Sequence, residues 1–328
     1  MITLTMRPYA GDADLEAIAN LINTCEAVDQ LDEGTSVSEL QQQFDEPSLD
    51  KARDIRLWEN ADGQLAGMGR LWIPPVGKVI DGFLWFRVLP TARGGDLDRQ
   101  IVAWAEGRMR EVSQERGVQV KLRSGSRAYQ SDSPSKTLRD RIALLESCGF
   151  IADRYFFTME RSLSLPIPEF QLPDGFTIRQ VRSNEDAEAW VELFNQSFID
   201  HWNHHDLTVE SYEHWLTDPD YKPELDLVAI AADGTFAAFC HCDISPEDNK
   251  RNGRNEGWIS TLGTRRGFRR KGLGRAILLA GMQRLKVAGV DTARLGVDTE
   301  NPSGAGQLYE SVGFRKVYTQ IMYVKDMY

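Results

Sequence analysis

The run Trp258-Ile-Ser-Thr-Leu-Gly-Thr-Arg-Arg-Gly-Phe-Arg-Arg-Lys-Gly-Leu-Gly-Arg-Ala-Ile-Leu-Leu-Ala280 reads as a strand, a basic glycine turn and a helix. Trp258 to Thr264 is β-rich, and Leu273 to Lys286 carries Leu273, Ile277, Ala280 and Leu285 near one helical face. The turn Arg269-Arg270-Lys271-Gly272-Leu273-Gly274 suits a diphosphate, because glycine lets backbone approach an anion and the free N–H groups and positive dipole of a new helix point at it. Glycines at such a place also serve as plain turn chemistry, so the turn alone leaves both readings open.

The spacing differs from both the Gly-x-x-x-x-Gly-Lys-Ser/Thr of triphosphate loops and the Gly-x-Gly-x-x-Gly of dinucleotide folds. Arg-x-x-Gly-x-Gly after a strand resembles the acyl-coenzyme A signature of the GCN5-related N-acetyltransferases. Downstream, Leu295-Gly-Val-Asp-Thr-Glu-Asn301-Pro302, Ala305 and Leu308-Tyr309-Glu310-Ser311-Val312-Gly313-Phe314 resemble the second block of that family. The two blocks together are specific where either alone is weak.

The 328 residues suit about two domains, and 41% apolar with 27% charged residues is ordinary for a globular protein. Met1-Ile-Thr-Leu-Thr-Met lacks a basic start and an apolar core, and no run has the length of a membrane span, so a cytoplasmic location is expected. A net charge of −11 argues against nucleic-acid binding, which calls for a basic face. Cys25, Cys148, Cys240 and Cys242 have no framework spacing and are expected as reduced, buried thiols. In Cys240-His241-Cys242, strand alternation puts the sulfurs on one face and the imidazole on the other, so core thiols are favoured over a metal site.

The chain repeats itself. Thr5 opens a strand, Leu15, Ile18, Leu21 and Ile22 form a helical face, and after a polar stretch from Asp29 to Asp54 the runs Leu57 to Glu59 and Leu65 to Trp72 flank an Asp-Gly hairpin turn. The strand Gly82 to Pro90, a helix from about Asp98 to Arg116 and Leu144-Leu-Glu-Ser-Cys-Gly-Phe150 follow. Leu163 to Gly175, rich in proline, is expected as a linker. Then Thr177 opens a strand, Glu185 to Phe198 makes a helix, Val228 to Ile230 and Phe236 to Cys242 flank Asp233-Gly234, and the Trp258 block closes on Leu-Tyr-Glu-Ser-Val-Gly-Phe. The expected units are 1–161 and 176–328, joined by 162–175. The resemblance implies two mixed α/β domains, each a twisted, largely antiparallel sheet flanked by helices, as in tandem acetyltransferases such as the mycothiol synthase group. Periodicity alone yields only mixed α/β.

The copies differ where the resemblance places chemistry. Asp96 and Asp98 stand in the first copy where the second has Gly272 and Gly274, and a carboxylate close to a diphosphate is repelled by about 1–4 kcal/mol. Leu145 stands where the second has Tyr309. The first copy is therefore read as degenerate, with both copies acylating kept as a further possibility.

In the second copy the resemblance implies backbone contacts from Leu262 and Thr264 to the pantetheine arm of acetyl-coenzyme A. It implies Arg269, Arg270, Lys271, Gly272, Leu273, Gly274 and Arg275 around the diphosphate, and Asn301 on the coenzyme arm. It makes Tyr309 the acid that protonates the departing thiolate. Deprotonating an alkylamine at pH 7 costs about 4–5 kcal/mol, so a base is needed. Trp258 holds the family's usual position for it, which leaves Glu256 on the same strand face, then His241 and Asp243. His201, Trp202, His204 and His205, in the segment expected to cover the acceptor, hold three of the five histidines and select substrate or pack a helix end. The expected function is acetyl transfer from acetyl-coenzyme A to a small-molecule amine, without metal. The alternative is a coenzyme-binding sensor or scaffold that lacks turnover.

Overall fold

The computed structural model describes residues 4–128 and 135–327; residues 1–3 of the opening stretch lie outside it. The chain divides into two compact units, one ending at Arg154 and taking in the chain again from Gln320, the other spanning Tyr155–Thr319. The first unit opens with β1 (Thr5–Pro8) and α1 (Leu15–Asp29), whose Leu15, Ile18, Leu21, Ile22 and Cys25 are buried. Within the polar stretch lie α2 (Val37–Phe44) and the single turn α3 (Lys51–Asp54). A reciprocal cap starts α2: the Glu39 N–H donates to Ser36 Oγ at 3.2 Å and the Ser36 N–H to Glu39 Oε2 at 2.5 Å. The hairpin of β2 (Ile55–Glu59) and β3 (Leu65–Trp72) turns at Gly63, φ 75°. Then come β4 (Val79–Val88), α4 (Leu97–Arg116), β5 (Gln119–Arg127), α5 (Lys136–Ser147) and β6 (Ile151–Ser162).

The second unit repeats the order with β7 (Phe176–Gln180), α6 (Ala187–Phe198), α7 (Val209–Trp215), β8 (Asp226–Ala231) and β9 (Phe236–Asp243). It continues through α8 (Pro246–Asn252), β10 (Glu256–Thr264), α9 (Leu273–Val287), β11 (Thr292–Asp298), α10 (Ala305–Ser311) and β12 (Arg315–Met327). In each unit one central pair is parallel, β4 with β5 and β10 with β11, and the other pairings within the unit are antiparallel. Both units are thus mixed α/β with largely antiparallel sheets, as expected.

The unit boundaries differ from the expected 1–161 and 176–328, because each copy's closing strand completes the other unit's sheet. Phe156 to Ser162 of β6 pairs with β11, and Gln320 to Met327 of β12 pairs with β5. The stretch expected as a linker is packed: Leu163 is buried and its N–H donates to the Asp291 carbonyl at 2.7 Å, while Ile167, Phe170 and Leu172 lie on the second unit's core. Within that core α9 is buried nearly all round its middle. Gly281 faces the Cys240 and Cys242 sulfurs, which a Cβ would meet at 2.5 and 3.2 Å. All four cysteines are free, but Cys148 is half-buried rather than buried.

One ion pair recurs in both copies and ties the first strand to the first helix. Arg7 donates to both Asp14 oxygens at 2.8 and 2.7 Å, with the Ala10 N–H adding a bond at 2.7 Å; Arg179 does the same to Asp186 at 2.5 and 3.0 Å, with the Arg182 N–H at 2.8 Å. Burial alone would raise these carboxyls, but the guanidinium and backbone bonds outweigh it and hold both below the usual carboxylate range. A depressed carboxyl contributes stability above its unfolded pKa near 4, and that stability is lost as the pH falls. Asp186→Asn is expected to cost about 1.5–3 kcal/mol at pH 7 and to flatten the acid limb in urea unfolding between pH 7 and 3. An unchanged slope would remove Asp186 as a source of acid sensitivity.

Candidate functional site

Two departures from regular pairing shape the centre of the second unit. β10 runs parallel to β11 only from Glu256↔Thr292 to Ile259↔Leu295, while its pairing with β9 continues to Thr264↔Ala238 across a bulge between Ile259 and Thr261. From Ser260 onward β10 therefore has a strand on one edge and none on the other. Backbone donors and acceptors on the open edge, among them those of Leu262 and Thr264, can pair with an extended ligand as a further strand would. Bulges recur beside active sites because they re-aim a strand.

The turn after β10 is built for an anion. Arg270 (φ 62°) and Gly272 (φ 86°) hold left-handed backbone, and Gly272 caps α9 with no side-chain bond, so the first N–H groups of that helix are left for a ligand. A Cβ on Gly274 would lie 3.3 Å from Thr264 Oγ1, a tight contact that the threonine would have to yield to. Arg270 and Lys271 are exposed, and no ion pair involving either is found among the described residues.

Arg269, expected on the diphosphate, is instead a bracket for the turn. Its Nε donates to the Thr264 carbonyl at 3.2 Å, Nη1 to Asp200 at 2.7 Å and Nη2 to the Ser197 carbonyl at 2.8 Å, so all three nitrogens are committed to protein. Arg275 donates to Ser311 Oγ at 2.7 Å, joining α9 to α10. Asn301 has its Oδ1 taken by the Ser303 N–H at 2.9 Å and hydroxyl at 2.5 Å, which leaves its amide N–H groups.

Tyr309 on α10 is buried with Leu273, Val297 and Phe314, and Leu262, Ala305 and Leu308 pack against the same cluster. Burial pushes its phenol well above its ordinary value.

Gly257 and Ile259 turn toward α9, which sends Glu256 and Trp258 to the other face, with His241 and Asp243 from β9. Glu256 is already matched in charge: its Oε2 lies 3.0 Å from Arg294 Nε and its Oε1 3.9 Å from Arg254. Ser260 donates to Asp243, whose carboxyl is raised by burial. His241 Nδ1 lies 3.6 Å from the wholly buried Asp226, which accepts from the Tyr221 hydroxyl at 3.2 Å. Asp226 was not among the residues singled out by sequence; its one signal is a charge inside the apolar run Leu225 to Ile230. Of the acceptor-segment residues, His204 meets Asp206 at 2.9 Å, His201 Nδ1 lies 3.0 Å from the Trp202 carbonyl, and the Trp202 ring packs on Phe156 at 5.7 Å.

The first unit keeps the scaffold and fills the corresponding space. β4 and β5 part after Leu84↔Ser124, and the Arg141 guanidinium occupies the gap: it donates to the Gly125 carbonyl at 3.0 Å and Ser124 Oγ at 3.4 Å and lies 4.2 Å from the Phe86 centroid. In the second unit Ala305 holds that position, four residues before Tyr309 as Arg141 is four before Leu145. Burial lowers Arg141 to about 10. Asp96 begins α4 with φ −93° where Gly272 has φ 86°, and Arg93 is bidentate to Asp29 at 2.6 and 2.7 Å. Ile55 and Arg70 replace Asp226 and His241, as their pairing across the two strands shows.

Residues 187–314 match the family model described as Acetyltransferase (GNAT) family. The chain is 28% identical to a mycothiol acetyltransferase of Salinispora arenicola, over 86% of this chain and 87% of that one. It is 32% identical to one of Thermobispora bispora over 53% of this chain, spanning 58% of that relative's length. Among solved structures, a GCN5-related N-acetyltransferase from Sphaerobacter thermophilus aligns with TM-score 0.72 at 24% identity, covering 99% of this chain and 96% of that one. A tandem GNAT protein from the clavulanic acid biosynthesis pathway aligns with TM-score 0.72 at 14% identity, covering 99% of each chain.

Proposed function

Because the chain is a tandem GCN5-related N-acetyltransferase (GNAT) family protein, similar in layout to the mycothiol acetyltransferases, we propose that its second unit transfers an acetyl group from acetyl-coenzyme A to a small-molecule amine. The observation that carries this reading is the parting of β10 from β11 at Ile259, which leads along an open strand edge to the uncapped, left-handed turn at the start of α9. The edge at Leu262 and Thr264 takes the pantetheine amides, and the N–H groups around Gly272 to Arg275 take the diphosphate, with Arg270 and Lys271 adding charge. Arg269 holds the turn in shape through Asp200. Tyr309 donates its proton to the departing thiolate.

Holding thioester and amine side by side supplies the larger part of the acceleration through proximity. The face with Glu256, Trp258, His241 and Asp243 receives the amine, and the loop of His201, Trp202 and His204 borders it on this reading. The first unit is a supporting domain, because Arg141, Asp96 and Asp98 take the volume and charge that the coenzyme needs. The engagement of Glu256 by Arg294 also suits a non-catalytic coenzyme sensor. Release of free thiol from acetyl-coenzyme A in the presence of an amine panel separates the two, since a sensor releases none.

Calorimetric titration with acetyl-coenzyme A is expected to give one site per chain. A first unit carrying R141A, D96G and D98G together is expected to add a second, weaker site. Two sites in the wild-type chain would overturn the assignment of the first unit as closed.

Gly272→Asp is expected to abolish that binding, since it forces an L side chain to φ 86° and sets a carboxylate beside the diphosphate. An unchanged affinity with an intact circular dichroism spectrum would remove the turn from the site. Tyr309→Phe is expected to leave acetyl-coenzyme A affinity within a few-fold while turnover falls by roughly 10²–10⁴. Full turnover, with chemistry limiting the rate, would assign the acid elsewhere.

A further inference from the structure

The acceptor face contains a pair of residues that the family resemblance does not supply. Asp226, at the start of β8, is wholly buried, and among the described residues only its Oδ2 accepts a hydrogen bond, from Tyr221, while Oδ1 accepts none. A carboxylate buried with so few donors is stabilised by a cation beside it. The imidazole of His241 is the one placed for this, with Nδ1 3.6 Å from Asp226 Oδ2 and the Tyr221 ring stacked on it at 5.9 Å and 12°. Tyr221 thus fixes both partners, the carboxylate through its hydroxyl and the imidazole through its ring. His241 is half-buried, opposite Thr261 and one residue past the bulge on β10, where the parallel strands part. With Nδ1 turned to Asp226, Nε2 is left for a ligand on the acceptor face.

We propose that His241, held by Asp226 and Tyr221, is the group that takes the proton from the acceptor ammonium. The proposal rests on the acetyl-transfer reading above and identifies a proton acceptor other than Glu256, which Arg294 already engages. The ammonium gives one proton to His241 Nε2, and the freed amine nitrogen bonds to the thioester carbon. As the carbon–sulfur bond breaks, the sulfur leaves with the bond pair and gains the Tyr309 proton. The second nitrogen proton restores the phenol, and His241 returns its own proton to water. One ammonium and one thioester thus become one amide, one thiol and one proton. Asp226 is a positioning residue, stabilising the imidazolium as it forms, as a buried aspartate does behind a catalytic histidine elsewhere.

Burial acts to lower His241, but the nearby carboxylate of Asp226 outweighs it and the imidazole is raised above its ordinary value. The charged and titratable groups around it are Asp226 on β8, Asp243 on its own strand with Ser260 on β10, Asp218 and Tyr221 from the segment before β8, and Tyr212 on α7, whose phenol lies beside Asp226. All the charges are negative, so they add to the same shift. The first unit has Ile55 and Arg70 at these two places and cannot form the pair.

The test measures acetyl-coenzyme A binding by calorimetry, and thiol release against pH with the best amine of a primary-amine panel, for the wild-type chain, His241→Gln and Asp226→Asn. His241→Gln is expected to bind acetyl-coenzyme A as wild type and to lose roughly 10²–10⁴ in turnover. Asp226→Asn is expected to move the acidic limb of the rate profile to lower pH by about 1–3 units, since it removes the charge that raises the imidazole. Turnover retained in His241→Gln, or a folded Asp226→Asn whose acidic limb stays in place, overturns the assignment while the transferase reading stands. If the wild type binds acetyl-coenzyme A and acetylates no amine, the transferase reading falls and the base assignment with it. His241 is half-buried, so the glutamine variant carries the test if Asp226→Asn does not fold.

Discussion

The second unit is organised by a failure of strand pairing. Two parallel strands that share four register pairs, from Glu256↔Thr292 to Ile259↔Leu295, separate where a bulge bends the first of them. Unpaired backbone on this half-buried edge needs a partner, a ligand group or water. The sheet therefore creates a demand for a partner of strand-like shape, and the uncapped turn at Gly272 sets a demand for an anion at the end of the same edge. On the proposed reading, a long ligand with amides along its length and a diphosphate at one end answers both. Strand alternation puts His241, Asp243, Glu256 and Trp258 together on the face opposite α9.

The first unit answers the same demand with its own side chain. Its central strands also part, after Leu84↔Ser124, and Arg141 supplies donors to Gly125 and Ser124 there while covering the Phe86 ring. A guanidinium fills such a gap well, since its planar donors reach a carbonyl and a hydroxyl while its face stacks on an aromatic ring. Asp98, raised by its own burial and lowered in turn by Arg141 and Arg93, lies within reach of their charge. Protein groups of both signs thus stand in the space that the second unit leaves open.

Structural parts kept in both units are those that hold strand to helix. The Arg7–Asp14 and Arg179–Asp186 pairs sit at equivalent places, and Arg93 and Arg269 both reach back to the strand carbonyl before their turn, Val88 at 3.0 Å and Thr264 at 3.2 Å. Arg269 illustrates how composition misleads at a basic turn. Three consecutive cations invite one role, but the first of them donates to Asp200 and Ser197, while its two neighbours are exposed and have no counterion among the described residues.

Sequence alone determined the repeat, the mixed α/β class, the two hairpins and the strand–turn–helix of residues 258–280, because period, Asp-Gly turns and glycine spacing are local properties of the chain. It identified Tyr309 and the glycines by resemblance, and it separated the two copies through Asp96 and Asp98. Small helices such as α2 and α8 were not read in the sequence, since their short apolar faces carry no period, although each begins at a capping serine, Ser36 and Ser245. What only the tertiary structure decided depends on partners distant in the chain. Which strand closes each sheet could not be read, since β6 and β12 follow equivalent helices and pairing is chosen by register against a distant edge. The same holds for Arg141 in the parted strands, for Glu256 against Arg294 and for Asp226 behind His241. Each is one ordinary residue in sequence, and its role arises because folding removes water and leaves its charge or donor a single neighbour to satisfy.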